Sequence, residues 1–168
     1  MSLKDGSSTL TTKFMASCDT YEEASIVMVG VPMDSTCSFR PGTRFGPQKI
    51  REVSIGIEEY SIYRDKDLRD FKYFDCGDLD LPFGDVTRSL GMISDAAGEI
   101  IKDGKFPLFI GGEHLISVPV IKKVYEKNGD ELIVVQFDAH ADLREGYIGC
   151  PESHASAIRR LTDFMPPG

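Results

Sequence analysis

The sequence predicts an α/β domain around a mainly parallel sheet, and three observations carry that reading. Short apolar runs rich in β-branched residues alternate with segments of helical spacing, joined by brief connections. The runs are apolar nearly throughout, as strands covered on both faces are. Residues able to do chemistry collect where the runs end, and parallel sheets bind ligands beyond the carboxyl ends of their strands.

The elements follow in order. Residues 1–24 form a polar lead. Residues 24–31 read as a buried strand ended by Gly30 and Pro32. A Gly/Pro-punctuated loop, 34–46, comes next, and Pro47 sits where a helix would begin. Ile50, Val53, Ile57 and Tyr60 keep helical spacing after it. A second strand is predicted at 71–76. Beside the Gly/Pro-rich segment 77–84, the acidic cluster Asp75, Asp78 and Asp80 reads as an exposed turn. Val86, Leu90, Ile93, Ala97 and Ile101 mark one face of a long helix closed by Gly104. The third strand is 107–110. Leu115, Val118, Ile121 and Tyr125 predict a further helix, with Pro119 near enough to its start to be tolerated and Asn128-Gly129 at its end. The fourth strand is 132–137. A last helix within 152–164 meets Pro166-Pro167-Gly168. No internal repeat or linker divides 25–168, which reads as a single domain.

At 168 residues the chain can bury a real core, and 41% hydrophobic with 27% charged residues is ordinary for a globular protein. A formal net charge of −8, with no basic cluster against it, argues against nucleic acid or an anionic membrane as partner. It suits a small cationic substrate. No apolar run approaches the roughly 20 residues that span a bilayer. Cys18, Cys37, Cys76 and Cys150 are scattered, without a C-x-x-C pair, and read as reduced thiols. The amino terminus lacks the apolar core of a secretory signal, so the expected location is cytoplasmic.

The most informative segment is Val134-Val135-Gln136-Phe137-Asp138-Ala139-His140-Ala141-Asp142. In extended chain, side chains at alternate positions project to one side. Asp138, His140 and Asp142 are therefore expected to converge as the strand runs out. Mixed imidazole and carboxylate donors suit a divalent ion such as Mn²⁺, Zn²⁺ or Fe²⁺. The plainer account is a solvated turn after a buried strand. Against it stands a second element upstream, where the run 106–110 ends in Gly111-Gly112-Glu113-His114. Gly111-Gly112 could equally be a simple strand exit and His114 a cap-like residue. Glu113 reads as fixing the loop rather than as a ligand.

Four ordered signatures resemble the ureohydrolase (arginase/agmatinase) family, most of all its agmatinases. They are Gly30-Val31-Pro32-Met33-Asp34 with Arg40-Pro41-Gly42-Thr43-Arg44-Phe45-Gly46-Pro47; Gly111-Gly112-Glu113-His114; Phe137-Asp138-Ala139-His140-Ala141-Asp142; and Ser153-His154-Ala155-Ser156-Ala157-Ile158-Arg159-Arg160. The resemblance implies a three-layer αβα fold and a homo-oligomer. It also implies a site for two Mn²⁺ ions that activates a hydroxide toward a guanidinium carbon, releasing urea. Carried onto matching positions, His114 and Asp142 would hold one manganese and His140 the other, with Asp138 between them. His154, alone more readily a surface or capping histidine, would move a proton or place the leaving amine. The substrate most in keeping is agmatine, giving putrescine; guanidinobutyrate, arginine and formiminoglutamate are the alternatives. The Arg40 to Pro47 block could instead be a structured loop closing on a neighbouring subunit. A dinucleotide-binding reading fails, because no G-x-G-x-x-G opens the first helix.

Family members carry a further D-x-D-type pair and a later glutamate, and neither pattern occurs after Arg160. The expectation is therefore a domain lacking the family's carboxyl-terminal part. Two dications about 3.5 Å apart repel by about 20 kcal/mol at an effective dielectric near 20. Asp138 and Asp142 bring only two negative charges against them. The 168-residue chain alone is thus expected to bind one ion weakly and to turn over guanidines poorly or not at all. A non-catalytic paralogue acting by binding is the competing reading.

Overall fold

A computed structural model describes residues 3–5 and 12–166 of the chain. Three parallel strands form the central sheet: β1 (Ile26–Val31), β4 (Tyr73–Asp78) and β5 (Phe106–Gly111), in the order β4-β1-β5. Ile26 lies opposite Tyr73 on one side and Phe106 on the other. Two short antiparallel strands, β2 (Tyr60–Ser61) and β3 (Lys66–Asp67), make a separate hairpin. The helices are α1 (Gly46–Ser54), α2 (Val86–Lys102), α3 (Ser117–Asn128) and α4 (Ala157–Leu161).

Alternation along β1 separates two faces. Val27, Val29 and Val31 join a core with Ile93, Ala96 and Ile100 of α2 and with Leu115 and Ile116 before α3. Gly30 turns the other way, toward Asp78 and Arg51 of α1. Helices thus cover both faces of the central strand, which explains why β1 is apolar almost throughout. The polar lead contributes too: Leu3, Tyr21 and Ala24 are buried in the same core. Asp85 caps α2 by accepting from the Arg88 amide at 2.9 Å, and Gly104 ends it with a φ of 74°.

Three expectations need correction. The first helix ends at Ser54, before Gly56, and Tyr60 belongs to β2. Its buried face is Pro47, Arg51 and Ser54, whereas Ile50, Val53 and Ile57 are exposed. The apolar spacing therefore marked the outward face. Arg51 is 1% exposed, and its guanidinium grips the Asp75 carboxylate at 2.7 and 2.8 Å and Asp78 at 2.5 Å. Hence Asp75 is a buried strand residue and not part of an exposed turn. A charge in the interior needs such a partner, and a helix cation met by a strand anion supplies it.

The third correction concerns residues 132–137, which form no strand. β5 has β1 on one edge, and among the described residues no strand pairs with its other edge. Residues 132–137 do not pair with that edge, and a segment paired with no strand has no ladder of backbone hydrogen bonds. Ile133, Val135 and Phe137 are 83%, 71% and 97% exposed, although their sequence pattern is that of a buried strand.

Candidate metal centre

The site is assembled where β1 and β5 end. Gly112 has a φ of 66°, and a Cβ there would collide with the carbonyl oxygens of Val31 and Met33. Only glycine allows the chain leaving β5 to lie so close to the exit of β1. The Glu113 amide then donates to the Met33 carbonyl at 2.9 Å. His114 opens a short 3₁₀ turn, His114–Ile116, anchored by buried Leu115 and Ile116, so its imidazole is held at the rim of a cleft of about 530 Å³.

Asp138 and Asp142 meet His114 there. His114 Nδ1 lies 2.6 Å from Asp142 Oδ2 and 3.3 Å from Asp138 Oδ2. Strand alternation is not what brings the two acids together. Asp138 instead accepts the His140 amide at 2.8 Å, bending the chain in an Asx turn. Asp142 has a left-handed φ of 50°, and its carbonyl accepts from the Arg159 amide of α4 at 3.0 Å. The His140 amide, aided by the charge of His114 and opposed by desolvation, holds the Asp138 carboxyl below its ordinary range. His140 lines the same cleft with an exposed side chain, outside the close group of His114, Asp138 and Asp142.

His154 begins the 3₁₀ turn His154–Ser156, capped by Ser153, which accepts the Ala155 amide at 3.3 Å. Its ring stands edge-on to that of His114, with centroids 5.6 Å apart. The loop after β1 locks it in place. Thr36 Oγ1 accepts the His154 amide at 2.9 Å, and the Thr36 carbonyl lies 2.8 Å from His154 Nδ1. Thr36 in turn donates its amide to Glu113 at 2.9 Å and its hydroxyl to the other Glu113 oxygen. Glu113, 3% exposed, thus braces the loop that carries His154. Further along, Asp34 accepts from the Gly42 amide at 2.8 Å and pairs with Arg44 at 2.6 Å. The Arg40 to Pro47 block is therefore tied back to its own chain. Sequence reasoning missed Thr36, Ser38 and Cys37 as neighbours of His154, because only the tertiary fold brings that loop to residue 154.

One imidazole nitrogen and two carboxylates, with ligand atoms within 4.8 Å of one another, make a donor set for a single hard-to-borderline dication. For a second ion the described residues offer His140 and a shared Asp138, too little charge to hold two dications side by side.

The profile of the arginase family matches residues 24–166. An agmatinase of Bacillus subtilis is 53% identical over 154 residues, which is 92% of this chain and 53% of that protein. The agmatine ureohydrolase of Thermoplasma volcanium superposes with a TM-score of 0.86 at 30% identity, over 96% of this chain and 53% of that one. The proclavaminate amidino hydrolase of Streptomyces clavuligerus gives 0.80 at 29% identity, over 97% and 54%. The chain spans about half the length of these relatives.

Proposed function

Because the chain belongs to the arginase family, we propose that it supplies part of a manganese-dependent hydrolase of guanidino compounds, with agmatine cleaved to putrescine and urea. The observation that carries this reading is the approach of His114 Nδ1 to both Asp138 and Asp142 in the cleft that also holds His154. The 53% identity to a Bacillus subtilis agmatinase favours agmatine over other guanidines.

His114, Asp138 and Asp142 would hold the first ion, with His140 the next donor along the cleft. When bound, the metal supplies a strong nucleophile from water near neutral pH, which a resonance-stabilised guanidinium requires. The protein's own residues do the rest. The net charge of −8 favours the approach of a cationic substrate. The Thr36 carbonyl holds the His154 ring toward the cleft, where it can hand a proton to the departing amine. Remaining charge for a second ion would come from polypeptide equivalent to the other half of the relatives, which would also pair with the free edge of β5.

Urea release tests this. The chain mixed with the complementary half of the Bacillus subtilis agmatinase should release urea from agmatine faster than from arginine or guanidinobutyrate, while the chain alone should not. Equal release from all three substrates would remove the agmatine assignment. A mixture that forms but shows no release with any of them would favour a non-catalytic binding role.

A further inference from the structure

A second group of potential ligands lies beside the first. Cys37 Sγ, a carboxylate oxygen of Glu113 and a ring nitrogen of His154 lie within 4.8 Å of one another. We propose that Cys37, Glu113 and His154 form a second site for a thiophilic dication, Zn²⁺ or Cd²⁺, beside the His114, Asp138 and Asp142 group; a metal held there withdraws His154 from the proton transfer proposed above.

The donor set is the first reason. Thiolate, imidazole and carboxylate together suit zinc and its heavier congener, whereas manganese prefers oxygen-rich ligands. Preorganisation is the second. Glu113 is buried and fixed by the amide and hydroxyl of Thr36, so its carboxylate is already aimed. Nδ1 of His154 meets both the Thr36 carbonyl at 2.8 Å and the Ser38 amide at 3.2 Å; the shorter contact, to a group that can only accept, favours the proton on Nδ1 and the lone pair on Nε2. Ser38 Oγ lies 3.2 Å from that nitrogen and can donate to it when no metal takes its lone pair. A ligating histidine characteristically has its other N–H fixed on a carbonyl or carboxylate in this way. The three residues come from remote parts of the chain, so their meeting depends on the fold and not on one acidic turn.

The charges close as well. Cys37 is half-buried, and burial with the nearby Glu113 and Asp34 charges keeps its thiol protonated. On coordination the S–H bond breaks, its proton leaves to solvent, and the sulfur pair binds the metal. Thiolate and Glu113 then bring two negative charges to a dication, with a water completing the tetrahedron.

Titration of the purified chain with Cd²⁺ in excess Mn²⁺, read by the ultraviolet thiolate-to-cadmium charge-transfer band, tests the site. The band should saturate at one equivalent, vanish in Cys37→Ser, and persist in Cys18→Ser and Cys150→Ser. Both His154→Ala and Glu113→Gln should weaken Cd²⁺ at least about tenfold, the scale on which even outer partners of a metal act. Circular dichroism confirms that each variant is folded, and Cys37→Ser is near enough in shape to stay so. A band that survives Cys37→Ser overturns the proposal. So does an affinity unmoved by both His154→Ala and Glu113→Gln in folded protein, since that result means a lone thiol.

Discussion

His114 Nδ1 lies 2.6 Å from Asp142 Oδ2, and Asp142 reaches that position only by adopting a left-handed backbone with a φ of 50°. The two residues come from the ends of different segments, one anchored by buried Leu115 and Ile116, the other by the Arg159 amide of α4. The arrangement costs some backbone strain, which asparagine and aspartate bear better than most residues. Asp142→Asn should therefore keep the fold while weakening Mn²⁺ at least about tenfold, the scale of lost metal contacts. Calorimetric Mn²⁺ titration with a parallel thermal melt checks this. Unchanged affinity would mean that Asp142 only fixes the loop.

His140 stands outside the close group of His114, Asp138 and Asp142. For the chain alone, His140→Ala should lower first-ion affinity far less than His114→Ala does. Electron paramagnetic titration of free Mn²⁺ distinguishes them, and equal losses would place His140 among the first ion's ligands.

Removing the Arg51 guanidinium leaves Asp75 and Asp78 without their cation. Arg51→Met should destabilise the chain by about 3–5 kcal/mol, the usual cost of stranding a buried charge. Urea denaturation followed by circular dichroism measures it. A loss below about 1 kcal/mol would show that Asp75 finds sufficient compensation in the amides of Phe14 and Gly77, which it also accepts.

Arg51 also shows where sequence pattern stops being informative. β1, β4 and α2 are legible because their apolar pattern matches the face that the fold buries, whereas β5 and α3 are legible by composition and spacing although Phe106 and Leu108 are exposed and Val118, Ile121 and Tyr125 only half-buried. In α1 the period marked the exposed face, since the interior there is an ion pair and hydrophobicity says nothing about a buried arginine. Residues 132–137 carry a strand's composition, but composition cannot show whether a neighbouring strand is present to pair with. The metal-type residues could be picked out by chemistry, yet their approach depends on an Asx turn and a left-handed Asp142 that alternation does not foresee. Cys37 reads from sequence only as a scattered reduced thiol, because Glu113 and His154 are distant from it in the chain.

Acidification should act through Asp34. Arg44 and the Gly42 amide hold its carboxyl below the ordinary value of 3.8, so the unfolded state takes up a proton first as pH falls. The stabilisation is complete above 3.8 and is lost progressively as pH drops through the lower folded value. Denaturation from pH 6 to pH 3 should show wild type losing more stability than Asp34→Asn. Parallel curves would mean that the Asp34 to Arg44 pair contributes no pH dependence.

Among the described residues the outer edge of β5 is unpaired, and Ile133, Val135 and Phe137 expose apolar side chains. Such surfaces drive association. Sedimentation should show self-association of the chain that rises with concentration and is suppressed by Ile133→Lys with Val135→Lys. A monomer at all concentrations would show that the surface is inert.

The central proposition is that His114, Asp138 and Asp142 share one cation. Anomalous diffraction from a crystal of the chain grown with Mn²⁺ tests it most directly. The predicted result is a single manganese peak bounded by His114 Nδ1 and the two carboxylates. A peak elsewhere, or none with His114 turned away from both acids, would contradict it.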